Sequence, residues 1–206
     1  MSKRFLLPFL ASLGFFLIEF LTLPHYGVSW DDAIHFRRGQ AYLYYYLTGN
    51  KDYRDLPNIN LQGTAGDPDR IPVPRRSFYQ NDYHNGEFLF NYKVLGHPPL
   101  SDELAALSNY VFFQKFGILD DITSHHLFNV LTSAFLVFVV VAFTQSNFGT
   151  FVALISFLAL ATYPLFWAES HFSIKDPPEA AFFAATIWSF YNSLGKKGYT
   201  WLILSV

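Results

Sequence analysis

Four long runs of apolar residues constrain this chain more than any other feature. They occupy residues 5–23, 127–143, 148–167 and 180–194. A transmembrane helix needs about 20 mostly apolar residues, and each run interrupts its apolar side chains with only a few small or polar ones. A fifth run opens at Tyr199 and reaches Val206, so the sequence reads as the N-terminal fragment of a longer membrane protein. Composition agrees with a bilayer. Charged residues make up 15% of the chain, against about 25% in an ordinary soluble domain.

The first run follows Lys3 and Arg4 and passes into Pro24 and His25. A secretory signal would have an apolar core of roughly 7–15 residues and a small-residue cleavage site. This run is longer and lacks the site, so an uncleaved first span is expected. Glu19 is the exception inside it, because a carboxylate near the end of a span must snorkel, pair or face protein.

Several function classes are excluded early. The formal net charge of -2 gives no broad basic surface for nucleic acid. The absence of Cys removes disulfides and thiolate metal sites. No His cluster has zinc spacing, and His125 and His126 read as interfacial residues at the head of the second span. No Gly-rich phosphate loop follows a strand. A soluble nucleotide-sugar enzyme would need a nucleotide fold that this chain does not contain.

Between the first two spans lies a long polar section, residues 25 to about 124. Residues 31–47 read as a helix with recurring aromatic side chains, and Asp31 or Asp32 suits its N-terminus. Residues 49–85 are rich in Gly, Pro, Asn and Asp, which is loop chemistry. Residues 98–116 place Leu100, Leu104 and Leu107 on one helical face, with Asp102, Glu103 and Asn109 elsewhere. Lys3 and Arg4 put the N-terminus in the cytoplasm, and Lys196 and Lys197 belong there too. Four spans satisfy both and five do not. Residues 98–116 are therefore expected to form a juxtamembrane helix on the outer side. The expected fold is an all-α integral membrane protein, a multi-pass helical bundle whose first extracytoplasmic loop is long and contains juxtamembrane helices.

Three outer segments carry reactive side chains: Trp30-Asp31-Asp32, Gly96-His97-Pro98-Pro99 and His171 to Pro178. Asp31 and Asp32 suit deprotonation of a hydroxyl, orientation of an acceptor, or the holding of a cation. A helix cap beside a solvated carboxylate explains the same pair, and is the plainer reading of the residues alone. Asp176 before Pro177 and Pro178 is open to the same two readings. Lys175, His97, His171, Arg37 and Arg38 are cations able to meet a phosphate.

In order, these segments resemble the polytopic glycosyltransferases that use polyprenyl-phosphate-linked sugars. These are the dolichyl-phosphate-mannose protein mannosyltransferase and aminoarabinose transferase superfamily, with the membrane fold called GT-C. Trp30-Asp31-Asp32 is similar to the acidic signature of the family's first outer loop. Gly96-His97-Pro98-Pro99-Leu100 is similar to its approach to the second span. His171 to Phe183 is similar to the Lys-Asp-x-Pro segment of several bacterial branches. The resemblance implies sugar transfer to an acceptor hydroxyl on the extracytoplasmic side, with inversion. It implies Asp31 as the catalytic acidic residue, Asp32 as its catalytic neighbour where relatives often carry Glu, and Asp176 as the second acidic position. Lys175, His97 and His171 are placed near the donor phosphate on charge alone. Some relatives use a divalent metal and others do not, so the resemblance leaves a divalent metal open and implies no other cofactor. The partners implied are a polyprenyl-phosphate-linked sugar, a hydroxyl-bearing acceptor and the bilayer, in a bacterial cell membrane. A transporter subunit or a non-catalytic membrane scaffold are the rivals. A transporter would place ionisable residues near the bilayer midplane, whereas these acids lie at span ends.

Overall fold

The computed structural model describes residues 5–56, 75–80, 99–194 and 198–205. His97, the remainder of the loop and the four Lys and Arg residues that set the expected topology (Lys3, Arg4, Lys196 and Lys197) lie outside them. Among the described residues every regular element is helical. The chain divides into two compact units. One joins residues Met1–Pro24 to Asn129–Val206, and the other is His25–Phe128.

The first unit contains α1 (Leu6–Thr22), most of α4 (Asp121–Phe148), α5 (Thr150–Ala161), α6 (Pro164–Phe172), α7 (Asp176–Ser193) and α8 (Gly198–Leu204). Helix α1 buries Pro8, Ala11, Phe15 and Glu19, a single stripe at helical spacing. Its other faces present Leu10, Leu13, Leu17, Ile18 and Leu21 outward. Exposed leucines this numerous are stable in hydrocarbon and costly in water. The segments Leu6–His25 and Asp121–Phe148 are long and apolar enough to cross a membrane, and the α5–α6 pair is a third candidate if its two helices form one span. Helix α7 carries Asp176, Glu179 and Asn192 at its ends and is not among the helices that qualify.

The core of this unit is Ala11, Phe15, Ala134, Val137, Val141 and Ala153. Phe5 packs 6.3 Å from Phe138, and Ser12 Oγ donates to the Ala134 carbonyl at 2.7 Å. Helices α1 and α4 are therefore antiparallel. Phe138 and Phe143 meet Trp188 and Tyr191 in the same order, so α4 and α7 run the same way. Gly149 makes the tight reversal from α4 to α5 with a φ of 89°, a conformation that side chains rarely adopt.

The sequence leads one to expect a single span over residues 148–167. The structure instead breaks the segment at Thr162 and Tyr163 and bends it by 63°. Pro164 is the cause. It opens α6 at a position where no amide hydrogen is needed, and it holds Tyr163 extended at φ -72°, ψ 112°.

The second unit is built on α2 (Asp32–Thr48) and α3 (Leu100–Asn109), the latter continued by a π-helical turn, Tyr110–Lys115. The two helices touch at Gly39. A Cβ there would lie 2.1 Å from the Asp102 carbonyl oxygen, so only glycine permits the approach. Helix α3 buries Asp102, Ala105, Ala106 and Asn109, while Leu100 and Leu107 face outward. The face that carries Leu100 and Leu107 is thus not the one α2 covers. Small alanines admit the close contact, and the charged partners of Asp102 lie on α2.

Loop chemistry dominates residues 49–85, yet residues 75–80 are tightly held. Asp121 accepts from Ser77 Oγ and from the Phe78 amide, each at 2.7 Å. Tyr79 packs on Phe36 with ring centroids 4.8 Å apart.

Candidate functional site

The turn before α2 places the paired acids differently. Ser29 and Asp32 have capping-box spacing. The Ser29 amide donates to Asp32 Oδ2 at 2.6 Å. The same oxygen accepts from His126 Nε2 at 3.0 Å. Asp32 is 1% exposed and His126 is fully buried. Asp31 remains partly exposed, its carbonyl accepting from the Ile34 and His35 amides as the helix begins. Trp30 is 94% exposed. Asp32 therefore fixes a turn that carries Trp30 and Asp31 toward the surface of the unit.

Proton positions on the two adjacent histidines follow from their partners. His126 gives its Nε2 hydrogen to Asp32, and its buried Nδ1 has no hydrogen-bond partner among the described residues. His125 has the opposite tautomer. Its Nδ1 donates to the Asp121 carbonyl at 2.7 Å, and its Nε2 accepts from Gln40 at 3.0 Å. Both rings pack against Phe36. The sequence reading put these histidines at an interface. The structure buries them completely, because α4 starts at Asp121, a full turn before the apolar run.

Behind the turn, Asp102 accepts from His35 Nδ1 at 3.0 Å and from the Arg38 guanidinium. All three groups are buried. Arg38 is thus engaged by a carboxylate of its own unit. Asn109 links the remainder, donating to Asp121 Oδ1 at 2.7 Å and to Ser124 Oγ at 2.8 Å, and accepting from Gln40 and Gln114. Tyr79 lies beside this network. Burial, then the nearby carboxylates of Asp121 and Asp32, pushes its phenol up to about 12.

In the first unit, the turn between α6 and α7 carries the other expected residues. Ser173 Oγ donates to Asp176 Oδ2 at 2.8 Å, and the Asp176 amide points back to Ser173 Oγ at 3.3 Å. Asp176 is the first residue of α7 rather than its cap, and it is exposed. Lys175 beside it is half-buried. His171 is fully buried against the end of α1, where Thr22 Oγ1 lies 2.8 Å from its Nε2. This contact puts the end of α1 and the α6–α7 turn at one end of the unit. Among the described residues, no group of three or more His, Asp or Glu side chains is arranged to hold a metal ion.

The sequence offered no signal for His126 as the partner of Asp32, or for Asp102 and Asn109 as parts of the buried network on α2. Their partners lie 94, 64 and 69 residues away in the chain. The Ser29-x-x-Asp32 spacing was the one local clue that Asp32 turns inward.

Apolar helices with outward-facing leucines, together with acidic turns at helix ends, define an all-α membrane protein with polar chemistry at the ends of its helices. Residues 96–206, more than half of the chain, match the dolichyl-phosphate-mannose-protein mannosyltransferase family, and the chain belongs to that family. The match includes His97, His171, Lys175 and Asp176, and it begins after Asp31 and Asp32. No curated protein and no solved structure matches the chain.

Proposed function

We propose that this chain is the N-terminal part of a glycosyltransferase domain that moves a sugar from a polyprenyl phosphate to an acceptor hydroxyl. The observation that carries this reading is the family match over residues 96–206. In the proposed topology, residues 5–23 and 127–143 cross the membrane of a bacterial cell, residues 148–167 cross it as the bent α5–α6 pair, and residues 180–194 return through it despite the polar ends of α7. Residues 25–124 then form the outer loop, and the reaction occurs on the extracytoplasmic side.

Asp31 is the proposed base. It takes the proton of the acceptor hydroxyl as the oxygen attacks the anomeric carbon. The bond from that carbon to the phosphate oxygen breaks, its electron pair leaves with polyprenyl phosphate, and the configuration inverts. The partial exposure of Asp31, beside a buried and doubly bonded Asp32, supports this choice between the two acids. Asp32 acts by holding the turn. Exposed Asp176 is the proposed acceptor-binding acid, and Lys175 a partner for the donor phosphate, whose oxygens accept strong charge-assisted hydrogen bonds. His97 is proposed for the same phosphate on charge alone.

The test is release of polyprenyl phosphate from a panel of lipid-linked sugars by the full-length protein in nanodiscs. Acceptor-containing membrane extract is present, and Asp31→Asn is the paired control. Release by the wild type alone is expected. Equal release by both proteins removes Asp31 from its role. Absence of release with every donor favours a transporter or a scaffold.

A further inference from the structure

The first unit buries an acid and a base against each other among apolar helices. Glu19 on α1 and His171 on α6 are both inaccessible to solvent, with Oε2 and Nδ1 3.7 Å apart. Two hydroxyls flank the pair. Ser170 Oγ lies 2.7 Å from Glu19 Oε1 and 2.8 Å from the Trp167 carbonyl oxygen. Thr22 Oγ1 lies 2.8 Å from His171 Nε2, and 3.0 and 3.1 Å from the Ile18 and Glu19 carbonyl oxygens. His171 Nδ1 is 2.7 Å from the Trp167 carbonyl oxygen. A carbonyl only accepts, so Nδ1 carries its hydrogen in every state.

Each hydroxyl has one hydrogen and two directions in which to send it. When Glu19 is ionised, Ser170 donates to Oε1. When Glu19 is protonated at Oε1, the carboxyl donates to Ser170, which turns its own hydrogen to the Trp167 carbonyl. When His171 is neutral, Nε2 accepts from Thr22. When it is protonated, Nε2–H donates to Thr22, which turns its hydrogen to Ile18 or Glu19. Both groups therefore change protonation state without leaving a buried donor unmatched. A buried polar group without that provision costs several kcal/mol, and ionisable groups inside apolar spans are seldom retained without a role.

The surroundings isolate the pair. Glu19 is the only ionisable residue of α1, and α5 and the part of α4 within this unit have none. Helix α6 adds half-buried Glu169, and the following turn adds half-buried Lys175. Helix α7 adds Asp176, held by Ser173, and exposed Glu179.

We propose that Glu19, His171, Ser170 and Thr22 form a proton-binding site within the membrane-embedded unit. The site takes up one proton from outside, on Glu19 beside Ser170 or on His171 Nε2 beside Thr22, and the hydroxyl beside the protonated group rotates to follow. The site joins α1 to the helix that leads into the Ser173–Asp176 turn, and it stands whether or not the transferase reading does.

The test is a pH titration of the full-length protein in nanodiscs by infrared difference spectroscopy. A carboxyl C=O band that changes with pH and is lost in Glu19→Gln is expected. Gln keeps an acceptor for Ser170 while removing the titration. The midpoint of that band is expected to move by about one pH unit in Ser170→Ala and in Thr22→Val, the loss of one hydrogen bond to a charged group. A spectrum with no pH-dependent carboxyl band, or one untouched by Glu19→Gln, overturns the proposal. So does a Glu19 band whose midpoint stays fixed in both hydroxyl variants, since a merely buried acid behaves that way. If Glu19→Gln does not fold, the wild type and the two hydroxyl variants decide alone, because neither substitution removes an ionisable group.

Discussion

His126 Nε2 stands 3.0 Å from Asp32 Oδ2, joining residues 94 positions apart in the chain. The contact ties the first turn of α2 to the second turn of α4. It also divides the labour between two adjacent acids. Asp32 is spent on the Ser29 amide and on His126, and Asp31 is turned toward the surface.

That division predicts unequal losses in the proposed reaction. Asp31→Asn is expected to lower kcat by about 10²–10⁴-fold, the usual contribution of a positioned general base, with the thermal midpoint of unfolding nearly unchanged. Asp32→Asn keeps an oxygen for Ser29 and His126 and is expected to cost much less activity. Asp32→Ala removes a cap partner and strands a buried imidazole N–H. Its expected cost is a stability loss of about 2–4 kcal/mol, read by thermal unfolding in detergent.

Gly39→Ala tests the α2–α3 contact. The added Cβ would meet the Asp102 carbonyl at 2.1 Å, and a backbone atom cannot swing aside. A loss of roughly 1–3 kcal/mol or more is expected. Hydrogen exchange should quicken in both helices. Unchanged exchange in α3 would mean that the helices do not meet there.

Breaking the buried ion pair should cost more. Arg38→Ala leaves Asp102 with His35 as its only basic partner among the described residues. The expected loss is about 3–5 kcal/mol. It should be nearly independent of salt, because buried pairs are weakly screened. A loss that vanishes at high salt would place the pair at the surface.

Asp121→Ala should free residues 75–80, since both oxygens of Asp121 hold that segment. The Phe78 amide is expected to exchange many-fold faster, while α4 below its first turn keeps its protection.

Tyr79 gives the second unit a dependence on alkaline pH. Its phenol is raised from 10.0 to about 12 in the folded chain. The unfolded chain therefore releases this proton first. Stability from this group is full below pH 10 and falls as the pH rises from 10 toward 12. Tyr79→Phe is expected to flatten that fall when protection in α2 is followed by hydrogen exchange across the range.

Much of the fold was legible because hydrophobic runs and helix periodicity are local properties of the chain. Helix α1 lies within the run at 5–23, the run at 127–143 lies within α4, and the periodic segments at 31–47 and 98–116 correspond to α2 and to α3 with its π turn. The break before Pro164 was also written locally, although the apolar run around it concealed it. Which face of α3 is buried was not legible. Backbone approach at Gly39 and the charges on α2 select the alanines and Asp102.

The candidate site divides in the same way. The sequence by itself determined where the acids sit along the chain, at helix starts where unpaired amides favour carboxylates. Only the tertiary structure decided what each one does there. Burial and hydrogen-bond partners come from segments far apart in the chain. Glu19 passes from an anomaly in an apolar run to half of a buried acid–base pair because α6 brings Ser170 and His171, 151 and 149 residues downstream of Glu19 and Thr22, against the end of α1.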